Sequence, residues 1–176
     1  MKFKKILVTG FDEAELNPNV WKRIDAISEQ KVFAQPDSSE IEDNLDADCL
    51  LVKFNKTDKE LISKFTNLKY IGALATGFNQ VDIGFAKSKS IVVTNVPGYS
   101  TESVAEFIIA ALLNQIRGLG EGRQRGKSGN YSESGIKAIE IKDKVFGILG
   151  LGTIGNRVAD LAQGFIADVW YWSREK

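Results

Sequence analysis

The chain has no histidine, one cysteine and three prolines among its 176 residues. Without histidine it has no side chain that ordinarily titrates near neutral pH, and one cysteine forms neither an internal disulfide nor a zinc cluster of the common type. Basic and acidic residues both number 23, so the formal net charge is zero and no cationic field attracts a nucleic acid. The apolar runs are too short for a signal sequence or a membrane span. We therefore expect a cytoplasmic protein without metal, nucleic-acid or membrane partners.

The first hundred residues alternate short apolar runs with amphipathic segments. The apolar runs predict strands at residues 5–9, 31–34, 49–53, 70–73 and 91–93. The segments between them predict helices at residues 19–28, 39–45, 58–65 and 82–88. Pro18 suits the first turn of a helix, and Thr57 with Glu60 forms a capping-box pair. Continuously apolar strands separated by helices indicate an α/β fold with a parallel sheet covered on both faces, whose ligands bind at the carboxyl ends of the strands.

The next two segments break this alternation. Residues 100–119 carry a longer apolar period, which predicts one long helix with Ser100 or Thr101 as its N-cap. Residues 118–135 are rich in glycine and have no apolar period, which predicts a loop. A flexible linker and an ordered arm packed on a partner both fit this composition. Cys49, in the apolar run at residues 49–52, is interpreted as a buried structural thiol.

A G-x-G-x-x-G loop, formed by Gly150, Gly152 and Gly155, lies between the apolar run 145–149 and an amphipathic segment at 156–165. In dinucleotide-binding proteins the first glycine allows a tight turn, the second admits the pyrophosphate, and the third lets the helix pack close to the strand. The N–H groups of the first helical turn then face the phosphates. Because the loop follows a predicted strand and opens a predicted helix, the pattern favours a dinucleotide site.

The second predicted strand of this unit, at residues 168–172, is followed by Ser173 and Arg174. Proteins that bind NAD usually place an acidic residue here to hold the ribose hydroxyls. A carboxylate would repel a 2′-phosphate, whereas a hydroxyl and a guanidinium can bind it. The pair therefore favours NADP(H) over NAD(H). A solvated Arg174 at a frayed chain end is the alternative.

Three segments in order, at residues 68–82, 93–106 and 145–155, resemble the D-isomer-specific 2-hydroxyacid dehydrogenases, and most closely the glycerate and glyoxylate/hydroxypyruvate reductases. The resemblance implies a flavodoxin-like, parallel-sheet substrate domain at residues 1–99. It implies an interdomain helix and dimerisation arm at 100–144, followed at 145–176 by the first β-α-β unit of a Rossmann NAD(P)-binding domain. Members usually dimerise through the helix and arm, so we expect a homodimer in which that contact shelters the β-α-β unit.

The resemblance also implies hydride transfer between a small 2-oxo acid and a D-2-hydroxy acid. Backbone amides near Thr76 and Gly77 would hold the substrate carboxylate, a role that suits a small residue followed by glycine. Lys53, at the end of the third predicted strand, lines the same cleft or is simply solvated. The implied cofactor-binding residues are Thr101, Gly150, Gly152, Thr153, Ile154, Gly155, Ser173 and Arg174. Many relatives have arginine or lysine where this chain has Thr153.

In the family, an arginine, a carboxylate and a histidine carry out the chemistry, and the resemblance places all three after residue 176. No catalytic residue is therefore predicted among the residues given, and we expect this chain to be an inactive, truncated part of a dehydrogenase. A non-catalytic binding or dimerisation module derived from the same family is the alternative interpretation.

Overall fold

The computed structural model of the chain describes residues 2–174, which form two compact units. One unit extends to Pro97 and the other begins at Gly98. Each unit has its own parallel sheet and its own buried core.

The first unit alternates strands and helices along the chain. Its elements are β1 (Phe3–Thr9), a 3-10 helix (Glu13–Glu15), α1 (Pro18–Asp25), β2 (Ser28–Ala34), α2 (Ser39–Glu42), β3 (Cys49–Val52), α3 (Lys59–Lys64), β4 (Tyr70–Ala73), α4 (Ile83–Ser88) and β5 (Val92–Thr94). The strands are parallel throughout, in the spatial order β2-β1-β3-β4-β5. This is the flavodoxin-like order, so the predicted fold of this unit is confirmed.

Side chains of β1 alternate between the two faces of the sheet. Leu7 packs with Leu50 and Ile71 in the core on one face, whereas Ile6 packs with Trp21 in the core on the other. Burial on both faces explains why the central strands are almost continuously apolar.

Cys49, the only cysteine of the sequence, lies in the second of these cores and is 1% exposed. Burial, and to a smaller extent the charge of the neighbouring Asp48 carboxylate, raise the pKa of its thiol to about 12. The thiol is therefore a neutral packing group at physiological pH, as the apolar run predicts.

The second unit contains α5 (Thr101–Ile116), α6 (Leu119–Lys127), β6 (Val145–Leu149), α7 (Thr153–Gln163) and β7 (Asp168–Trp172). β6 and β7 pair in parallel, so residues 145–172 form the predicted β-α-β unit. α5 packs against it, since Ala105 is buried together with Ile148 of β6 and Val158 of α7.

The first predicted helix, at residues 19–28, ends earlier than expected. α1 ends at Asp25, because Ser28 pairs with Phe3 at the start of β2. Its start agrees with the expectation for Pro18, which occupies the first helical turn after Asn17.

The predicted capping pair of Thr57 and Glu60 is wrong. The N-cap of α3 is Asp58, whose Oδ1 accepts a hydrogen bond from the N–H of Leu61 at 3.0 Å. Thr57 is fully buried in a β-bridge with Val81 and is therefore not free to cap the helix.

The expected long helix at residues 100–119 begins with Ser100 at the N-cap, but α5 ends at Ile116. Gly118 has a φ of 62°, a left-handed conformation that interrupts the helix and that glycine adopts readily.

The glycine-rich segment 118–135 was expected to be a loop, but it contains the helix Leu119–Lys127. Arg125 stabilises the fold of this segment, because its Nη1 donates to the carbonyl oxygens of Ser132 and Ser134 at 3.0 and 2.6 Å. These bonds fold the chain after α6 back onto the helix. Polar bonds of this kind produce no apolar period in the sequence, so the helix was not predicted, although an ordered arm was one of the two alternatives.

Among residues 2–174, no helix combines the length and the apolar character that crossing a membrane requires.

Candidate functional site

A loop at residues 75–82 follows β4 at the carboxyl edge of the five-stranded sheet. Thr76 and Gly77, the predicted substrate-binding residues, are both exposed on it. The Nδ2 of Asn95 donates to the carbonyl oxygen of Thr76 at 2.7 Å and holds this turn in place. A Cβ added to Gly77 would meet nothing within 4 Å, so the turn is open to a ligand.

The far end of the same loop is fixed to the segment that follows β3. The N–H of Thr57 donates to the carbonyl oxygen of Gln80 at 2.7 Å, and the N–H of Asp82 donates to the carbonyl oxygen of Thr57 at 3.0 Å. Asp82 Oδ1 accepts from the N–H of Phe85 at 2.9 Å and caps α4. Both ends of the loop are therefore anchored, which limits the conformations of its exposed turn.

Lys53 follows β3 at the same edge of the sheet. Its carbonyl oxygen accepts from Nε2 of Gln80 at 2.9 Å, which joins its main chain to the 75–82 loop. Its ammonium forms an ion pair with Glu15 Oε2 at 2.5 Å, and this hydrogen bond lowers the pKa of the Glu15 carboxyl. The main chain of Lys53 thus lies beside the loop, while its charge is directed to the 3-10 helix Glu13–Glu15.

The ends of β1 and β3 meet closely at Gly10 and Asn55. Gly10 has a φ of 87°, and a Cβ on it would overlap Oδ1 of Asn55. Asn55 in turn donates from Nδ2 to Oγ1 of Thr9 at 3.3 Å. A residue larger than glycine at position 10 would therefore displace the Asn55 side chain and strain the backbone at that position.

In the second unit, Gly150, Gly152 and Gly155 form the turn between β6 and α7, and each differs in its surroundings. Gly150 has a φ of 98°, which favours glycine. A Cβ on Gly155 would overlap the carbonyl oxygen of Gly150, whereas a Cβ on Gly152 would meet nothing within 4 Å. The fold therefore requires the first and third glycines, and the second leaves open space before the helix.

This open space lies at the positive end of α7. Thr153, Ile154 and Gly155 are its first three residues, and the N–H groups of a first helical turn have no acceptor within their own helix. Asn156 fixes the turn, because its Nδ2 donates to the carbonyl oxygens of Leu151 and Gly152 at 3.0 and 3.1 Å. An open turn lined by backbone N–H groups fits the phosphates of a dinucleotide.

Ser173 and Arg174 directly follow β7, which ends beside this turn. The N–H of Gly150 donates to the carbonyl oxygen of Trp172 at 2.8 Å and sets the distance between the two segments. Ser173 is half-buried and Arg174 is exposed. The structure thus brings the predicted adenosine-side residues next to the glycine loop.

Thr101 is the first residue of α5 and is half-buried. The next residue, Glu102, forms a two-pronged ion pair with Arg157 of α7, with both oxygen–nitrogen distances at 2.7 Å. The first turn of α5 is therefore tied to the helix that follows the glycine loop.

Sequence reasoning did not find Asn95, Asn156 or the pair of Glu102 and Arg157. For Asn156 there was a signal, because an amide four residues after the second glycine can reach back to the loop. For the others the partners lie 19 and 55 residues apart, and no motif links them. In the described part of the chain, no group of three or more cysteine or acidic side chains is placed to hold a metal ion.

The family model for the D-isomer specific 2-hydroxyacid dehydrogenase catalytic domain matches residues 6–170. The hydroxypyruvate reductase of Blautia hydrogenotrophica is 33% identical over 160 residues, which cover 84% of this chain and 50% of that protein.

Two solved structures show the same fold. The D-lactate dehydrogenase of Aquifex aeolicus, solved with NAD and lactic acid, has a TM-score of 0.86 at 32% identity, over 97% of this chain and 52% of that one. An acyclic imino acid reductase, solved with NADPH and D-arginine, has a TM-score of 0.85 at 28% identity, over 98% of this chain and 57% of that one.

The chain spans about half the length of these relatives. The family match covers both units, from β1 into β7, and includes all three segments that carry the resemblance. The chain therefore belongs to the D-isomer-specific 2-hydroxyacid dehydrogenase family.

Proposed function

We propose that this chain carries the substrate-binding elements and the first cofactor-binding elements of an NAD(P)-dependent oxidoreductase, which interconverts a small 2-oxo acid and a D-2-hydroxy acid. The observation that carries the proposal is the contrast within the glycine loop. Gly155 is enclosed by the fold, whereas Gly152 faces open space at the start of α7. A purely structural turn has no need of that open space, but an approaching pyrophosphate does.

On the cofactor side, backbone N–H groups at Thr153, Ile154 and Gly155 would hold the phosphates. Gly150 and Gly152 would shape the turn, and Thr101 would contact the same ligand from α5. When bound, the nicotinamide ring supplies or accepts the hydride. The net charge at the turn is small, since Thr153 brings no cation.

We propose NADP(H) as the preferred cofactor over NAD(H). The support is Ser173 and Arg174 beside the glycine loop, where a hydroxyl and an exposed guanidinium can bind a 2′-phosphate. Relatives have been solved with each cofactor, one with NAD and one with NADPH, so the choice depends on residues of this chain.

On the substrate side, the backbone amides near Thr76 and Gly77 would bind the carboxylate of the 2-oxo acid. Support comes from the exposure of this turn and from the Asn95 side chain, which already occupies the carbonyl oxygen of Thr76 with a hydrogen bond. Lys53 would line the same cleft. The ammonium of Lys53 is paired with Glu15, so the contribution of Lys53 to the cleft comes from its main chain.

We also propose that these residues alone do not turn over substrate. They include no histidine, so the group that the family uses to move the substrate proton has to come from elsewhere. The assay is oxidation of NADPH with glyoxylate or hydroxypyruvate, for which we expect no rate above the blank. Steady turnover would contradict this part of the proposal and would exclude the alternative, a non-catalytic binding or dimerisation module.

The proposed domains are the substrate domain at residues 1–99, the interdomain helix and arm at 100–144, and the dinucleotide-binding segment at 145–176. We propose a homodimer formed through α5 and the arm, because Phe107 on α5 is 72% exposed and Ile108 beside it is also exposed. Light scattering that shows a monomer at micromolar concentration would contradict the dimer. A cytoplasmic location is proposed from the single, reduced thiol of Cys49.

The substrate side is tested by titrating the ¹⁵N-labelled chain with oxalate, a planar dianion that resembles the carboxylate end of a 2-oxo acid. We expect saturable shifts of the Thr76 and Gly77 amide resonances. Shifts confined to lysine-rich surfaces, or no shifts at millimolar oxalate, would contradict the proposed carboxylate site.

A further inference from the structure

Glu102 and Arg157 form an ion pair whose geometry differs from that of an ordinary surface contact. Arg157 Nε donates to Oε2 of Glu102 and Nη2 donates to Oε1, both at 2.7 Å. Two parallel hydrogen bonds fix the plane and the direction of the guanidinium, which a single contact does not. The same bonds lower the pKa of the Glu102 carboxyl, so the pair stays charged throughout the neutral pH range.

The pair spans two helices that pack closely beneath it. Ala105 of α5 and Ala162 of α7 are fully buried, and Val158 is nearly so. Small side chains at a helix contact let the axes approach, but they offer little resistance to sliding of one helix along the other. The ion pair joins the first turn of α5 to a residue one turn after the start of α7 and therefore restrains this sliding.

Both helix starts belong to the proposed cofactor site. Glu102 directly follows Thr101, and Arg157 lies one helical turn after Thr153. Arg157 is also the single basic residue of α7. Both oxygens of Glu102 bind one edge of this guanidinium, so a carboxylate already compensates the charge of Arg157.

We propose that Glu102 and Arg157 are positioning residues for the dinucleotide: they hold the start of α5 at a fixed position relative to the glycine loop. The inference rests on the proposed function and gives Glu102 and Arg157 a role that the resemblance does not assign to them. Thr153 brings no positive charge to the phosphates. In this chain a fixed arrangement of the phosphate-binding N–H groups compensates for that missing charge, because these groups are already in place before the cofactor binds.

The opposing interpretation is that the pair is a solvated surface contact. Exposed ion pairs contribute little unless their geometry is two-pronged or they belong to a network. Here both conditions hold, since Asp160 lies 3.8 Å from Arg157 and Glu106 also acts on the guanidinium through its charge. A contribution to cofactor affinity is therefore expected even though both side chains are partly exposed.

The test measures the dissociation constant of NADPH for the full chain by fluorescence, together with the thermal unfolding midpoint of each variant. The first variant is Arg157→Lys, which keeps the charge but loses the two-pronged geometry. The others are the two single charge reversals, Arg157→Glu and Glu102→Arg, and the double reversal, which carries both substitutions. Lys64→Gln serves as the control, because it removes a similarly exposed ion pair with Glu42 in the other unit.

We expect Arg157→Glu and Glu102→Arg each to weaken NADPH binding by about fivefold, the lower end of usual coupling between sites. The dissociation constant of NADPH for Arg157→Lys should lie between the values for these variants and the value for the unmodified chain. The double reversal should bind NADPH more tightly than either single reversal, because it restores an ion pair at the same place. A residue that acted only by contacting phosphate would not be rescued in this way.

Two results overturn the inference, and they are distinguishable. If the unmodified chain binds NADPH but the reversals change only the unfolding midpoint, or the double reversal is no better than the single ones, the pair is merely structural and the proposed function stands. If the unmodified chain binds neither NADPH nor NADH, the proposed function and the inference fail together.

Discussion

Gly155 and Gly150 are in such close contact that a Cβ on Gly155 would overlap the carbonyl oxygen of Gly150 and lie 3.2 Å from its carbonyl carbon. α7 therefore packs against β6 at a distance that only glycine permits. Two residues away from Gly150, Gly152 meets no such restriction. The requirement for folding and the proposed requirement for ligand binding thus fall on different glycines of one loop and can be separated by mutation.

Gly155→Ala should destabilise the second unit by about 1–3 kcal/mol, the usual cost of overpacking, because α7 has to move away from β6. Gly152→Ala should leave stability nearly unchanged, since its φ of −80° suits alanine, but it should weaken NADPH binding. Thermal unfolding and NADPH titration of both variants provide the comparison. Equal stability loss in the two variants would contradict these separate roles.

Asn95→Ala removes the side-chain amide that holds the carbonyl of Thr76. We expect a loss of about 1 kcal/mol in the free energy of unfolding, typical of one hydrogen bond, and faster amide exchange at Gly77. The same substitution should also weaken the binding of oxalate. Asn67→Ala is the matched control, because its exposed amide bonds the adjacent Thr66 hydroxyl and is remote from the loop. The prediction fails if exchange at Gly77 is the same in both variants.

Lys53→Met should raise the pKa of Glu15 towards its ordinary value, because the Lys53 ammonium is the largest cause that lowers it. Some lowering should remain, since the N–H of Asp12 still donates to Glu15. Carboxyl resonances followed by NMR during an acid titration give the measurement. Lys56→Met is the control and should raise the pKa of Asp58 instead, leaving Glu15 unchanged. If the pKa of Glu15 is the same with and without Lys53, the ion pair does not form in solution.

Cys49 should make stability fall at alkaline pH. The pKa of its thiol is raised from 9.0 to about 12 in the folded chain, so the unfolded chain loses the proton first and is favoured as the pH rises between these values. The stability of the unmodified chain relative to Cys49→Ala should therefore decrease above pH about 9, by at most about 1.4 kcal/mol per pH unit. Urea unfolding of both proteins at several pH values measures the difference. A difference that stays constant with pH would argue against a buried thiol.

The strands could be predicted because parallel sheets leave a strong signal in the sequence. Tyr70–Ala73, Val145–Leu149 and Asp168–Trp172 lie where the apolar runs predict them. The central strands of the five-stranded sheet are buried on both faces and are therefore apolar at nearly every position, so their limits are visible in composition. β6 and β7 are apolar as well, although most of their residues are exposed in the structure. The helix Leu119–Lys127 leaves no such signal, since polar bonds from Arg125 to a later segment stabilise it.

The candidate site was predictable to a similar extent. The glycine loop was recognisable because its geometry depends on the backbone, and only glycine satisfies it at Gly150 and Gly155. The residues that hold the site in place could not be found in this way. Asn95 and the pair of Glu102 and Arg157 act on partners distant in sequence, and any of several polar side chains could occupy such positions.

The most direct test of the account is an NMR titration of the ¹⁵N-labelled chain with NADPH and, separately, with NADH. We expect saturable shifts of the amide resonances of Gly150, Gly152 and Thr153, with tighter binding of NADPH, and a loss of that preference in Arg174→Ala. The account would be contradicted if neither nucleotide shifted these amides, or if the shifts arose elsewhere in the chain.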